Sequence, residues 1–550
     1  GRPPPPDGGG GLLVCTPEKF NDVMTRLIEE ERVRELSSVV VDELHMVQDP
    51  SRGGTLELAL TKLLFAARKT VEGHAAIDNL DAAIDREDMH DHLVPLTEPS
   101  GFSGDFSDAD ASKPQIIGMS ATLADIDGLA RWFDAKLFET DFRPVPLRTH
   151  IVTGGRVFSL RSDGGDGRED EDGIHRDSNE NVPSLDPRRA RALPPAAVTE
   201  TDHAVELVRE GFADEDETTH VTRRGGVIVF CAAKFQCEAT ANALVTKLAN
   251  DAGLADADAD GGPGPGPGPD ASAPGPTRAS RAALVDELRR LQPHAADIET
   301  EKKRSLATCA SRGVVWHHSA LRAEEKSVVE RGFREGVFRV VCCTTTMATG
   351  VNLPAKRVVI ANPYVYRKKP ALHEVLRARD LQQMVGRAGR AGFGADVGDA
   401  FVVCPRAAEV RWTRRGAEAT SSRATPRDAD ALALEIAERL SSDGEALSST
   451  IAQAGMRRVM LEAAACGLAR DPGDIKRYIQ CTLLNALNDF QDVVAAGATR
   501  ALRWLAERSF LSWDAESQKW NPTPLGRAAA AAHLDPDRAV AVVADVRKAR

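Results

Sequence analysis

Short β-branched runs and longer stretches of helical period alternate along this chain in two separate blocks. The first block reads "LLVC", "PEKFNDVMTRLIEEERVREL", "SVVVD" and "GGTLELALTKLLFAARK"; after a polar stretch from Val71 to Ser112 come "QIIGMS" and "ADIDGLARWFDAKL". The second reads "GGVIVFCA", "KFQCEATANALVTKLA", "GVVWHHS", "AEEKSVVERGFREG", "FRVVCCTTT", "KRVVIANP", "LQQMVGRAGRA" and "DAFVVCP". Apolar runs of four or five residues with no polar alternation suit strands buried on both faces. Strand and helix in alternation predicts a parallel sheet covered by helices, so the expected class is α/β, with two such domains in tandem.

At 550 residues the chain is too long for one hydrophobic core. Hydrophobic residues make up 42% and charged residues 28%, and no window approaches the roughly eighteen continuous apolar residues of a membrane span, so no membrane is expected as a partner. The opening "GRPPPPDGGGG" has neither the basic head nor the apolar run of a signal peptide. Nine cysteines (15, 231, 237, 309, 342, 343, 404, 466, 481) form no C-x-x-C pair and fall mostly inside apolar runs. They read as reduced core residues of the cytosol or nucleus. The net charge of −12 argues at first against a nucleic-acid partner. Between Arg161 and Glu217, however, 17 acidic residues face 7 basic ones, so one segment carries nearly all of the excess.

Further organisation follows from composition. "DADADGGPGPGPGPDASAPGP", Asp256 to Pro276, is a low-complexity insertion that cannot build a core. Beyond about Asp428 the pattern turns to Ala/Leu-rich helices, followed by a hairpin-like "FLSWDAESQKWNPTPLG". Helices with a two-stranded wing fit a winged-helix domain. The expected domains are 1–150, a first α/β domain; 151–222, an acidic linker; 223–408, a second α/β domain with an insertion at about 251–278; 409–530, the winged helix; and 531–550, the start of a further helical domain.

The chemistry sits at strand tips. "SSVVVDELHMV" ends a β-branched run in Asp42, Glu43 and His45, and ligands of parallel sheets gather outside such carboxyl ends. Asp42 suits a Mg2+ ligand, Glu43 a general base, and His45 a relay facing a neighbouring motif. The four residues alone are equally compatible with a plain strand end. Zinc fits less well, because the residue four after His45 is Asp49 in a loop. "GMSATLAD" puts Ser120 and Thr122 where hydroxyls can bond the acids, although Ser-Ala-Thr alone is also a helix N-cap. In "QQMVGRAGRAG", Arg387 and Arg390 stand three apart among Gly386, Gly389 and Gly392, an arrangement that can reach a phosphoryl group. "TTTMATGVNLP" offers hydroxyls, Gly350 and Asn352 after a strand.

Taken together, "CTPEK", "DELH", "SAT", "VIVFC", "HHSAL", "TTTMATGVNLP" and "QMVGRAGRAG", in this order, resemble the motifs of superfamily 2 helicases of the Ski2-like type. "ETDFRPVPL" and "NPTPLGRAAAAAHLDPDRA" are most similar to the polymerase-theta branch, with the helicase-Q-type repair helicases close beside it. The resemblance implies two RecA-like domains, the first truncated at its N-terminus, ahead of the winged helix. It also implies ATP and Mg2+ as cofactors, 3′ to 5′ movement on single-stranded DNA or DNA with single-stranded ends, a part in double-strand-break end joining, a nuclear location, and a polymerase domain downstream. Carried over by motif, Thr16, Pro17 and Glu18 lie by the DNA backbone, Asp42, Glu43 and His45 at the metal and water, and Ser120 and Thr122 couple hydrolysis to movement. His318, Ser319, Thr344, Thr345 and Thr346 contact the strand, Gly350 and Asn352 approach nucleotide or DNA, and Gln383, Arg387 and Arg390 complete the ATP site across the cleft.

One motif of that set is missing. A phosphate-binding G-x-x-x-x-G-K-[ST] loop requires a Gly-Lys dipeptide, and the 550 residues contain none. The preferred expectation is therefore a piece of a helicase that is inactive by itself. A nucleic-acid-binding module without ATP binding and a Ski2-like RNA helicase are the alternatives.

Overall fold

The computed structural model describes residues 11–49, 52–72, 114–120, 125–140, 142–143, 145–160, 174–176, 183–185, 190–195, 197, 199–213, 226–248, 278–293, 304–347, 353, 355–368, 371–389, 397–405, 429–442, 446–451, 455–487 and 491–549. These residues form two compact units. One joins Gly1–Glu139 to Glu445–Arg550, and the other is Thr140–Gly444.

The first unit begins with α1 (Pro17–Glu29), β1 (Ser38–Val41), α2 (Gly53–Glu72), β2 (Gln115–Gly118) and α3 (Ile126–Phe133). Helix α1 starts where its sequence says it should, with Pro17 in the first turn and the Thr16 hydroxyl accepting from the Lys19 amide. Strands β1 and β2 pair in parallel with Val41 opposite Gly118. A 3₁₀ turn over Leu44–Gln48 then leads into α2.

The second unit is built on β3 (Leu147–Thr153), β4 (Arg156–Ser159), a β5–β6 hairpin (Ile174–Arg176, Pro183–Leu185), β7 (Arg191–Ala192), α4 (Glu200–Ala213), β8 (Val227–Phe230), α5 (Lys234–Lys247), α6 (Arg278–Leu291), α7 (Leu306–Ala310), β9 (Val314–His317), α8 (Ala323–Arg334), β10 (Val340–Cys343), β11 (Arg357–Ile360), a β12–β13 hairpin (Tyr364–Lys368, Ala371–Val375), α9 (Ala378–Val385), β14 (Gly398–Val403) and α10 (Ala429–Ser441). Its sheet runs β7-β4-β3-β14-β11-β8-β10-β9. The six strands from β3 to β9 are parallel, while β4 and β7 are antiparallel at one edge. Strands β8, β9, β10 and β11 are buried at every residue, as the apolar runs of β8 and β10 require; in β9 and β11 the burial includes one polar end residue each, His317 and Arg357. Strand β3 straddles position 150 and belongs to this sheet, and the described parts of 151–222 add β4, β7 and α4 to it.

The chain returns to the first unit with α11 (Gly455–Ala465), α12 (Pro472–Gln480), α13 (Leu483–Leu487), α14 (Gln491–Glu507), the antiparallel pair β15 (Leu511–Asp514) and β16 (Lys519–Pro522), α15 (Pro524–Ala531) and α16 (Pro536–Ala549). Trp513 and Trp520 face each other across the β15–β16 pair, ring centroids 5.1 Å apart. One apolar core binds this segment to α1 and α2, with Met24, Leu60 and Leu63 beside Met460, Tyr478 and Phe510. All nine cysteines are free thiols, eight of them buried and Cys15 exposed. Among the described residues no helix is long and apolar enough to cross a membrane. The molecule is thus α/β, with a large mixed sheet and a helical, hairpin-bearing C-terminal part.

Candidate ATP and strand-handling site

The acid tip of β1 is built by one unusual backbone step. Glu43 adopts φ +52°, ψ +45°, a left-handed conformation that L side chains take up sparingly and that recurs at functional sites. It reverses the chain so that Asp42 and Glu43 stay exposed while Leu44 and His45 turn inward. The Leu44 amide donates to Met119 O at 2.8 Å, and the Met119 amide donates to Val41 O at 2.8 Å, which locks the tip against the residues after β2. The Glu43 amide donates to Asp42 Oδ1 at 2.9 Å and so orients that carboxylate. His45 is fully buried, and its Nδ1 lies 3.4 Å from Glu43 Oε2 and 3.4 Å from Ser120 Oγ. The imidazole therefore stands between the carboxylate and the hydroxyl. The sequence had suggested a direct bond from hydroxyl to acid; the contact with His45 arises because Val41–Gly118 pairing carries Ser120 two residues beyond the strand end.

The start of α2 presses on the same turn. A Cβ on Gly53 would meet Val47 O at 2.1 Å, so only glycine lets the helix begin there. Arg52, just before it, donates through Nε and Nη2 to both oxygens of Glu18 at 2.8 and 2.9 Å, and this holds the Glu18 carboxyl well below the usual carboxylate range. The Thr16–Glu18 corner is thereby tied to the segment following the acid tip. Sequence reasoning passed over Arg52, although the Gly pair after it was a signal for close approach.

In the second unit the tips of β9 and β10 lie side by side, with His317 opposite Cys343 and the Thr344 amide donating to His317 O at 3.3 Å. His317 is buried and its Nε2 lies 2.9 Å from Glu330 Oε1; burial pushes its pKa down, against the pull of that carboxylate. His318 points inward, 3% exposed, its Nδ1 accepting from the Ala320 amide at 3.3 Å and its Nε2 3.3 Å from Glu238 Oε1. Ser319 beside it is exposed, so the outward-facing member of this pair is the serine. Thr344 and Thr345 are half-buried. Gln383 lies half-buried on α9. Arg387, two residues past that helix, is 7% exposed, and its charge counters the burial that pushes the Cys343 thiol up. Arg387 thus lies nearly buried just past α9, close enough for its charge to be felt at Cys343 on β10. Thr122, Gly350, Asn352 and Arg390 lie outside the described residues, as does the Thr346 side chain. Arg143, noticed in the sequence only as part of "ETDFRPVPL", touches the Arg387 segment directly, through the Ala388 carbonyl.

Comparison with known proteins bears on the same residues. Residues 281–392 match the helicase conserved C-terminal domain, and residues 433–512 match a helix-turn-helix domain. The chain is homologous to Ski2-like superfamily 2 helicases. DNA polymerase theta of Mus musculus is 28% identical over 557 residues, covering 98% of this chain and 18% of the mouse protein. Helicase POLQ-like of Homo sapiens is 26% identical, covering 71% of this chain and 26% of its own length. The ATP-dependent DNA helicase Hel308 of Methanococcus vannielii is 24% identical, covering 70% and 36%. The chain spans 18%, 21% and 25% of the first three curated relatives, about a fifth of their length. The helicase C-terminal domain match over 281–392 contains the β9 and β10 tips and Arg387.

Proposed function

We propose that this chain forms motor parts of an ATP-dependent DNA helicase of repair type, one that moves 3′ to 5′ along single-stranded DNA and serves in joining broken DNA ends in the nucleus. The observation that carries the reading is the β1 tip, where two exposed carboxylates stand over a fully buried imidazole that also reaches the serine after β2. A plain strand end has no physical need for a left-handed glutamate and a buried histidine. The relatives' printed names, DNA polymerase theta and ATP-dependent DNA helicase, support the choice of DNA.

In this reading the exposed Asp42 carboxylate, a hard oxygen donor, would hold Mg2+. Bound Mg2+ would offset charge on the phosphates of ATP. Glu43 takes a proton from water as its oxygen bonds to the γ-phosphorus and the bond to the β–γ bridging oxygen breaks, giving ADP and phosphate. His45 and Ser120 pass the state of Glu43 to the loop after β2. Arg387, with Arg390, offsets charge on the transferred group. Ser319, Thr344 and the Thr16–Glu18 corner track the sugar–phosphate backbone, a contact that is largely indifferent to sequence.

The test is ATP hydrolysis by the full gene product with and without single-stranded DNA. Glu43→Gln keeps the size of the side chain and removes the base, so turnover falls by about 10²–10⁴-fold while nucleotide binding is retained. Turnover equal to wild type in that variant would sink the motor reading. The 550 residues alone, having no Gly-Lys loop to cradle phosphates, hydrolyse ATP negligibly. Competition between matched DNA and RNA strands separates the DNA reading from an RNA one.

A further inference from the structure

Arg143 makes two bonds that no motif accounts for. Its Nε donates to Val145 O at 3.0 Å and its Nη2 to Ala388 O at 2.8 Å. Ala388 is fully buried and directly follows Arg387, so its carbonyl would be costly to leave without a donor. The peptides on both sides of Ala388 are gripped as well. The Ala355 amide donates to Arg387 O at 3.2 Å, and the Gly389 amide donates to Ala355 O at 2.8 Å. Gly389 takes φ +65°, and a Cβ there would come within 2.7 Å of Gly398 Cα and 3.0 Å of Val145 Cγ1. Gly398 in turn donates to Pro146 O at 2.8 Å. Four stretches of chain thus converge on one knot of backbone, and Arg143 supplies its charged bond. Such bonds are stronger than neutral ones, and the planar fork of a guanidinium fixes two acceptors in one geometry.

We propose that Arg143 is a positioning residue for Arg387. By pinning the Ala388 carbonyl against Val145, it fixes the backbone that carries Arg387, and so fixes where that guanidinium acts. The proposal rests on the reading of Arg387 as a residue that stabilises the transferred phosphoryl group. A brace for the fold alone would move melting temperature without moving turnover selectively.

The experiment measures strand-stimulated ATP turnover of the full gene product in four forms: wild type, Arg143→Ala, Arg387→Ala and the double variant. Arg143→Ala lowers kcat by about 10- to 100-fold, the scale of a roughly 1 Å misplacement, with little change in KM for ATP. In the double variant Arg143→Ala adds no further loss, because its only route to the chemistry has been removed. An equal further loss in the double variant overturns the proposal, and so does an effect confined to KM. Arg143→Lys keeps the charge but not the fork, and recovers part of kcat. It also serves as the readout if the alanine variant does not fold, and a lysine variant with wild-type kcat overturns the proposal. If Arg387→Ala itself turns over like wild type, the phosphoryl reading of Arg387 fails and the proposal with it. The clamp is tested apart from catalysis by hydrogen exchange on the 550-residue chain. The Gly389 amide exchanges faster in Arg143→Ala, and unchanged exchange there overturns the clamp whatever the kinetics show.

Discussion

The two units bury polar groups in opposite ways. In the second, strands β8 and β10 form an interior of valine, isoleucine, phenylalanine and cysteine, and polar residues, the buried Arg357 at the start of β11 among them, gather at strand ends. In the first, charge runs through the middle. Lys62, 1% exposed on α2, donates to Asn21 Oδ1 at 3.0 Å, Thr25 Oγ1 at 3.0 Å and Glu462 Oε2 at 2.7 Å, so all three ammonium donors are used. Glu462 also accepts from Arg458 at 2.8 Å. Glu57, fully buried one turn earlier on α2, accepts from Ser449 Oγ at 2.7 Å and from the Thr450 amide and hydroxyl. Parallel register is enough to specify the second unit. The first must bring together helices some 400 residues apart, and polar pairs that fit only one partner select that arrangement in a way that apolar stripes do not.

Removing one member of the buried pair breaks the comparison most strongly. Lys62→Ala strands Glu462 and destabilises the first unit by about 3–5 kcal/mol, read as a drop in its own melting transition while that of the second unit holds. Next comes pH. Burial pushes the Glu57 carboxyl up from 4.5 to about 7, ahead of the lowering by Ser449 and Thr450. Because the folded form binds this proton more tightly than the unfolded chain, the group's contribution is full below pH 4.5 and is lost as pH rises through about 7. Stability should therefore fall over that window, by up to about 3 kcal/mol, and Glu57→Gln should flatten the fall; identical pH profiles for the two proteins would contradict the assignment. In the second unit Ile228→Val, in a wholly apolar strand, costs about 0.5–1.5 kcal/mol and leaves the first unit's melting unchanged. The smallest effect belongs to the exposed Glu18–Arg52 pair, where Arg52→Ala costs less than about 1 kcal/mol, and less still at high salt. A loss of several kcal/mol there would show that the pair is structural beyond its ion contact.

Much of this was legible in the letters. "VIVF", "VVCC" and "RVVI" carry no polar alternation, and they became strands buried at every position. Thr16 and Pro17 announce the start of α1 and are found capping it. The DELH stretch gave away its strand tip, because three valines followed by two acids leave the carboxylates nowhere but outside. The left-handed turn at Glu43 was not legible, since no glycine or asparagine marks it, and neither was the inward rotation of His318 beside an outward Ser319.

By itself, then, the sequence determined β1, β2, β8 to β11 and β14, the helices that follow them, and the order of the chemical groups at those strand ends, because these follow from local period and from the fate of polar atoms near apolar runs. The "LLVC" run, expected as a strand, instead lies exposed and outside any element ahead of α1, with no neighbouring strand among the described residues to pair it. The tertiary structure decided which helix accepts which. It placed residues 445–550 in one core with α1 and α2, seated Lys62 on Glu462, set His45 between Glu43 and Ser120, and brought Arg143 to the carbonyl beside Arg387. The reason is physical: a periodic pattern states that a face must be covered, while the choice of what covers it is made by shape and by hydrogen-bond partners hundreds of residues away.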